Sequence, residues 1–175
     1  MHIFLTGDIQ IGKTTVIDRT TALLNKAVGG FQTYFDLDRE LPTRRLYINS
    51  ALQSKVFCEE NIVVQFRENG FPLVHDEKFD AYGVQLIEEA IGKSDLIVMD
   101  ECGNLEQFAT LFQRKILNTL NGNIPILGVV KQNSWGWTDY IRNHSKVKLI
   151  TVTNENRDLL PEAIANYIRN LDECV

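Results

Sequence analysis

GDIQIGKTT, residues 7–15, follows the apolar stretch HIFLT (2–6) and precedes a run in which Val16, Ile17, Leu23, Leu24 and Val28 recur at helical spacing. Strand, glycine-bounded loop and helix in that order decide the fold. Gly7, Gly12, Lys13 and Thr14 stand at the fixed positions of G-x-x-x-x-G-K-[ST], a loop whose backbone N–H groups wrap phosphate oxygens. Gly12 lets the backbone come close, and the helix starting near Lys13 points its positive end at the anion. Lys13 can reach the β- and γ-phosphates, and the Thr14 hydroxyl can bind Mg²⁺. Gly7, Asp8, Ile9, Gln10, Ile11, Gly12, Lys13, Thr14 and Thr15 are therefore the expected nucleotide cradle, with Thr14 also a metal ligand and Lys13 also catalytic. Gln10 occupies a position where many such loops carry another glycine.

Working outward, the periodicity predicts a helix over roughly 13–28 ended by Gly29-Gly30. From about 30 to 75 the pattern changes. GGFQTYF, RRLYINSAL, KVFCEE and NIVVQF are short, β-rich and separated by polar turns, which predicts antiparallel hairpins. The helical period returns from about 79. DLIVMD and PILGVV then read as strands buried on both faces. Leu105, Phe108, Phe112, Ile116 and Leu120 form a helix face between them, and a short helix near WTDYIRN precedes the last strand, KLITVT. Leu160, Ile164, Ile168 and Leu171 make a closing helix. Strand alternating with helix implies parallel strands with crossovers. The expected architecture is a single α/β P-loop domain over 1–175, with a mostly parallel central sheet between helical layers and an inserted antiparallel region at 30–75.

With 175 residues, 44% hydrophobic, and a net charge of −5, the chain has the composition of a globular protein and no electrostatic footprint for nucleic acid. No apolar run reaches the roughly 18 residues of a membrane span, and HIFLT is too short for a signal peptide. Cys58, Cys102 and Cys174 are far apart and lack CxxC spacing, so they read as reduced thiols of a cytoplasmic protein. The absence of an apolar heptad or a spare amphipathic helix points to a monomer. His2, His75 and His144 are scattered, and Phe31, Phe35, Phe57 and Phe66 sit at core-like strand positions.

A phosphate loop alone serves kinases, hydrolases and switches equally. DLIVMDE adds two carboxylates at a strand end, where open α/β sheets bind ligands. Asp100 stands where a Mg²⁺-organising aspartate belongs, and Glu101 can hold and deprotonate a water in line with the γ-phosphate. A kinase must exclude that water, whereas a hydrolase must activate it. Glu101 therefore favours hydrolysis over two alternatives, a P-loop kinase of a nucleotide or small metabolite and a nucleotide-binding switch or adaptor.

GDIQIGKTT, GGFQTYF, FDAYGVQ, MDECGNLE, ILGVVK and VTNENRD occur in this order. Together they resemble the small P-loop nucleoside-triphosphatase family, typified by the cancer-related nucleoside-triphosphatase. The resemblance spans residue 3 to about 159, and its specific parts are DECGNLE and VTNENRD. It implies Mg²⁺-dependent hydrolysis of nucleoside triphosphates to diphosphate and phosphate, with broad base tolerance and slow turnover. It carries phosphate binding onto Gly7 to Thr15, Mg²⁺ organisation onto Asp100 and water activation onto Glu101. It also places Glu106 at the family's Met-Glu position.

Further candidates carry open alternatives. Lys131, with Gln132 beside it, ends PILGVVK and would lie near the γ-phosphate if that strand runs between the loop strand and the Asp100 strand; otherwise it is a solvated strand end. Asn156 and Arg157 follow the last strand and either face the base and ribose or cap the next helix. A transition-state arginine could come from Arg39, Arg44, Arg45, Arg67, Arg114 or Arg142, with nothing in the sequence to choose. Trp135 and Trp137 either stack on a base or pack at the sheet edge.

Overall fold

The computed structural model describes residues 1–51, 53–68 and 70–173. Leu52, Asn69, Cys174 and Val175 lie outside the described residues, and the reading of Cys174 as a reduced thiol lies there with them. The strands are β1 (His2–Thr6), β2 (Val28–Phe35), β3 (Arg45–Ser50), β4 (Ile62–Gln65), β5 (Leu73–Val74), β6 (Leu96–Cys102), β7 (Ile126–Val130) and β8 (Val147–Thr151). The helices are α1 (Lys13–Leu23), α2 (Asp76–Lys78), α3 (Val84–Lys93), α4 (Thr110–Thr119), α5 (Trp137–Arg142) and α6 (Leu160–Glu173). One mixed sheet has the order β5-β4-β3-β2-β6-β7-β1-β8. The block β2-β6-β7-β1-β8 is parallel, and β3, β4 and β5 extend it by antiparallel pairing.

The apolar runs of β1, β6 and β7 are explained by cover on both faces. Along β6, Leu96 and Val98 join Val16, Ile17, Ile164 and Ile168 of α1 and α6. Ile97 and Met99 join Ile87, Phe112, Ile116 and Ile141 of α3, α4 and α5 on the other face. Period-2 alternation therefore feeds two cores from one strand. Among the described residues no helix is long and apolar enough to cross a membrane.

Five expectations are corrected. Helix α1 ends at Leu23, and Gly29 and Gly30 lie inside β2 rather than capping a helix. A Cβ at Gly30 would stand 2.1 Å from the Val98 carbonyl oxygen, and one at Gly29 would stand 2.3 Å from Ser94 Oγ. These glycines let β2 close against β6 and α3, a tertiary demand that resembles a cap signal in sequence. β2 consequently belongs to the parallel block, and only β3 to β5 are the antiparallel addition.

KVFCEE is not a strand. It crosses the sheet as an extended strap ending in a 3₁₀ turn, Glu59–Asn61. The Tyr34 hydroxyl holds it by donating to the Val56 carbonyl and accepting from the Val56 N–H, both at 2.8 Å. Phe57 of this strap remains 44% exposed while its edge meets Tyr34 and Tyr47. It is a lid on that aromatic cluster rather than core, whereas Phe31 is fully buried. Phe108 is likewise exposed, because α4 begins only at Thr110 and leaves it on the preceding turn.

Candidate active site

Strand β1 delivers the loop to the carboxyl edge of the sheet, and α1 begins at Lys13. Gly7 and Gly12 adopt φ of 135° and 108°. A Cβ at Gly7 would lie 2.7 Å from the Val152 oxygen. Helix α1 has no side-chain cap and no acidic residue in its first turn. Its first N–H groups and its positive end are therefore left for an anion. The Lys13 ammonium lies across the loop, donating to the carbonyls of Gly7 (2.9 Å) and Asp8 (2.7 Å). Gln10 holds a left-handed φ of 61°, the conformation a glycine adopts more cheaply, so the loop keeps its shape without the extra glycine.

Strand β7 lies between β1 and β6, which brings the end of the Asp100 strand and Lys131 to the same rim as the loop. The β6–β7 register slips between Met99 and Cys102, so β6 carries one extra residue at Asp100 and Glu101. In a regular strand these neighbours would face opposite sides; the bulge re-aims them. Thr33 of β2 brackets the peptide between them, which is cis. Its hydroxyl donates to the Asp100 carbonyl at 3.2 Å and accepts from the Glu101 N–H at 3.1 Å.

Asp100 is buried, and burial pushes its carboxyl up to about 7 despite a hydrogen bond from Thr14. Glu101 is also raised, by burial first, with Lys13 and Lys131 pulling it back. Glu106 is buried and raised to about 7, again through burial. Its Oε1 accepts the Gly103 N–H at 2.5 Å and so shapes the turn after β6.

A hydroxyl and a buried, undercompensated carboxylate side by side are hard oxygen donors that suit Mg²⁺. Among the described residues no group of three or more His, Cys, Asp or Glu side chains is arranged to hold a metal alone.

On the other side of α1, a recess of about 170 Å³ is lined by Ile11, Gly12, Thr15, Val16, Arg19, Arg157 and Asp158. Arg157 reaches over the loop towards the Ile11 carbonyl (3.5 Å). The Asn156 amide is occupied by backbone: Oδ1 accepts the Thr153 N–H and Nδ2 donates to the Thr151 carbonyl, both at 2.9 Å. Asn156 thus shapes the turn that presents Arg157.

The two tryptophans part company. Trp137 is buried and donates to the Gly103 carbonyl at 3.0 Å, whereas Trp135 is 75% exposed. Arg142 is consumed inside the loop that follows β7, hydrogen-bonded to Lys131, Ser134, Thr138 and Asp139. Thr33, Arg142 and Trp137 were not singled out for these contacts by sequence, because each acts on a backbone group distant along the chain. The order of GFQT and DECG was the one available signal.

The profile of the family described as NTPase matches residues 2–165. The chain belongs to this nucleoside-triphosphatase family. Family relatives include the nucleoside-triphosphatase THEP1 of Thermofilum pendens, 30% identical over 97% of this chain and 96% of that protein. The THEP1 of Natranaerobius thermophilus is 32% identical over 95% and 96%. The human cancer-related nucleoside-triphosphatase is 30% identical over 93% and 94%. In fold, the chain matches the crystal structure of THEP1 from Aquifex aeolicus with a TM-score of 0.75 at 21% identity, covering 96% of this chain and 99% of that one. The family is one of nucleotide-binding hydrolases, and this chain is an enzyme of that kind with a nucleoside triphosphate as substrate.

Proposed function

We propose that the chain, acting as one domain, hydrolyses nucleoside 5′-triphosphates, ATP and GTP among them, to the diphosphate and phosphate, with Mg²⁺ bound and Glu101 activating the water. The observation that carries this is the position of Glu101, re-aimed by the β6 bulge to the rim where Lys13 and Lys131 both act on its charge. Its raised pKa makes the carboxylate a stronger base near neutral pH than an exposed glutamate would be.

Lys13 and the loop amides from Gly7 to Thr15 hold the β- and γ-phosphates. Thr14 and Asp100 would hold Mg²⁺, which would neutralise phosphate charge when bound. Glu101 takes a proton from water as the water oxygen bonds to the γ-phosphorus. The bond from that phosphorus to the bridging β-oxygen breaks, and its electron pair leaves with the diphosphate. Arg157 offers a guanidinium face on which any base can stack, which supports broad base tolerance. A kinase would instead pass the γ-phosphate to an acceptor held beside Asp100, where a recess of about 80 Å³ is lined by Ile17, Asp18, Thr21 and Gln32.

Phosphate release from ATP, GTP, CTP and UTP, with Mg²⁺ and with a chelator, tests this reading. Release from several of the four that stops on chelation is expected. Phosphate appearing on an added acceptor, with little set free, would overturn it.

A further inference from the structure

Hydrolysis of a γ-phosphate builds charge on the transferring group, and many phosphoryl-transfer sites stabilise it with an arginine from the same chain or from a second molecule. Three of the arginines singled out by sequence, Arg142, Arg44 and Arg39, are engaged elsewhere. Arg142 spends its guanidinium within the loop after β7. Arg44 lies 4.3 Å from the Phe66 ring, and Arg39 faces Phe35, both at the antiparallel end of the sheet. Arg19 pairs with Asp158 and Arg157 reaches Ile11, both on the base side of the loop.

Lys131 is different. Its stem runs beside Gly103, where an ideal Cβ would meet Lys131 Cβ and Cδ at 3.4 Å and Glu101 Oε1 at 3.9 Å. Its ammonium makes no hydrogen bond or ion pair among the described residues. Its backbone is fixed from both sides: the N–H donates to the Cys102 carbonyl at 2.9 Å, and the carbonyl accepts from Ser134 Oγ at 2.7 Å and from the Arg142 guanidinium. Arg142 Nη1 also binds the Ser134 carbonyl (2.9 Å), Thr138 Oγ1 (3.0 Å) and Asp139 Oδ1 (3.0 Å), and Nη2 binds Ser134 Oγ (2.7 Å). A buried serine and a planar fork of donors thus set where the Lys131 side chain leaves the backbone.

We propose that Lys131 is the transition-state cation of this enzyme, held at the γ-phosphate end by Arg142 as a positioning residue, so that no arginine from another molecule is needed. The assignment rests on the hydrolysis reading above. Lys131 contributes charge as the bond from the γ-phosphorus to the bridging oxygen breaks, and it neither gives nor takes a proton.

The test is capture of the planar phosphoryl mimic formed by Mg²⁺, nucleoside diphosphate and aluminium fluoride, read by calorimetry and by native mass. The wild type should trap it as a single chain. Lys131→Met should lose the trap and about 100-fold in kcat, as for loss of one transition-state donor, with diphosphate affinity unchanged. Lys131→Arg should restore part of both. Arg142→Lys keeps the charge but loses the fork, and should lower kcat about 10-fold at unchanged KM; it also avoids the folding risk of Arg142→Ala. Unchanged kcat and trapping in Lys131→Met would overturn the proposal. So would a wild-type trap that forms only as a dimer. Wild-type phosphate release separates the two readings: its absence sinks hydrolysis itself, whereas wild-type release by Lys131→Met sinks Lys131 alone.

Discussion

The two ends of the phosphate loop are built differently. At the γ end, Asp100, Glu101, Glu106 and Lys131 are wholly or partly buried and tied by hydrogen bonds to β2, to the turn after β6 and to the loop after β7. At the base end, Arg157, Asp158 and Arg19 are exposed, and their ion pair is an ordinary surface contact. Under the proposed reading, position is over-determined where bonds are to be broken and loosely set where the base would lie, so one site combines fixed chemistry with tolerance of the base.

Among the supporting residues, the largest effect that would break the comparison is expected at Thr33. Thr33→Val removes the hydroxyl bracketing the Asp100–Glu101 peptide and should lower kcat about 10- to 100-fold with little change in KM, as loss of supporting contacts does elsewhere. Steady-state kinetics checks the split; a rise in KM alone would move Thr33 into substrate binding. At the loose end, Arg157→Ala should raise KM about 5-fold, near 1 kcal/mol of stacking, with kcat unchanged and with similar ratios for ATP, GTP, CTP and UTP. A loss confined to one base would mean that this end reads sequence of ring atoms after all.

Glu106 sharpens the comparison through pH. Its folded pKa of about 7 lies above the usual value of 4.5. The folded state therefore binds the extra proton between those values, and stability falls as pH rises from about 4.5 to about 7. His2, lowered to about 4 by burial, acts oppositely below 6.5. Thermal melts of wild type and Glu106→Gln across this range isolate the carboxyl: the gap should widen in favour of the variant as pH rises. The smallest effect is expected at Gln10. Gln10→Gly relieves a left-handed residue at the cost of backbone entropy, for a rise in melting temperature of about 1–2 °C.

How much of this was legible follows from where the information lies. The phosphate loop, the Asp100–Glu101 strand end and the alternation of strands and helices are local patterns, and β1, β6 and β7 stand where the apolar runs predicted. Gly29-Gly30 read as a helix stop because sequence does not show that β2 must close on Val98. KVFCEE had strand composition, but the aromatic pair Tyr34 and Tyr47 needed cover on that face. Thr33 and Glu101 are 68 positions apart and Arg142 acts through backbone oxygens, so these supports exist only once the sheet register is set.

Under the proposed mechanism Glu101 activates the attacking water. Phosphate release with Mg²⁺ should be compared for wild type and Glu101→Gln, with nucleotide affinity measured in parallel. The account predicts a fall in turnover of about 100-fold or more, as for loss of a general base, with affinity retained. A Glu101→Gln protein that hydrolyses at the wild-type rate would contradict it.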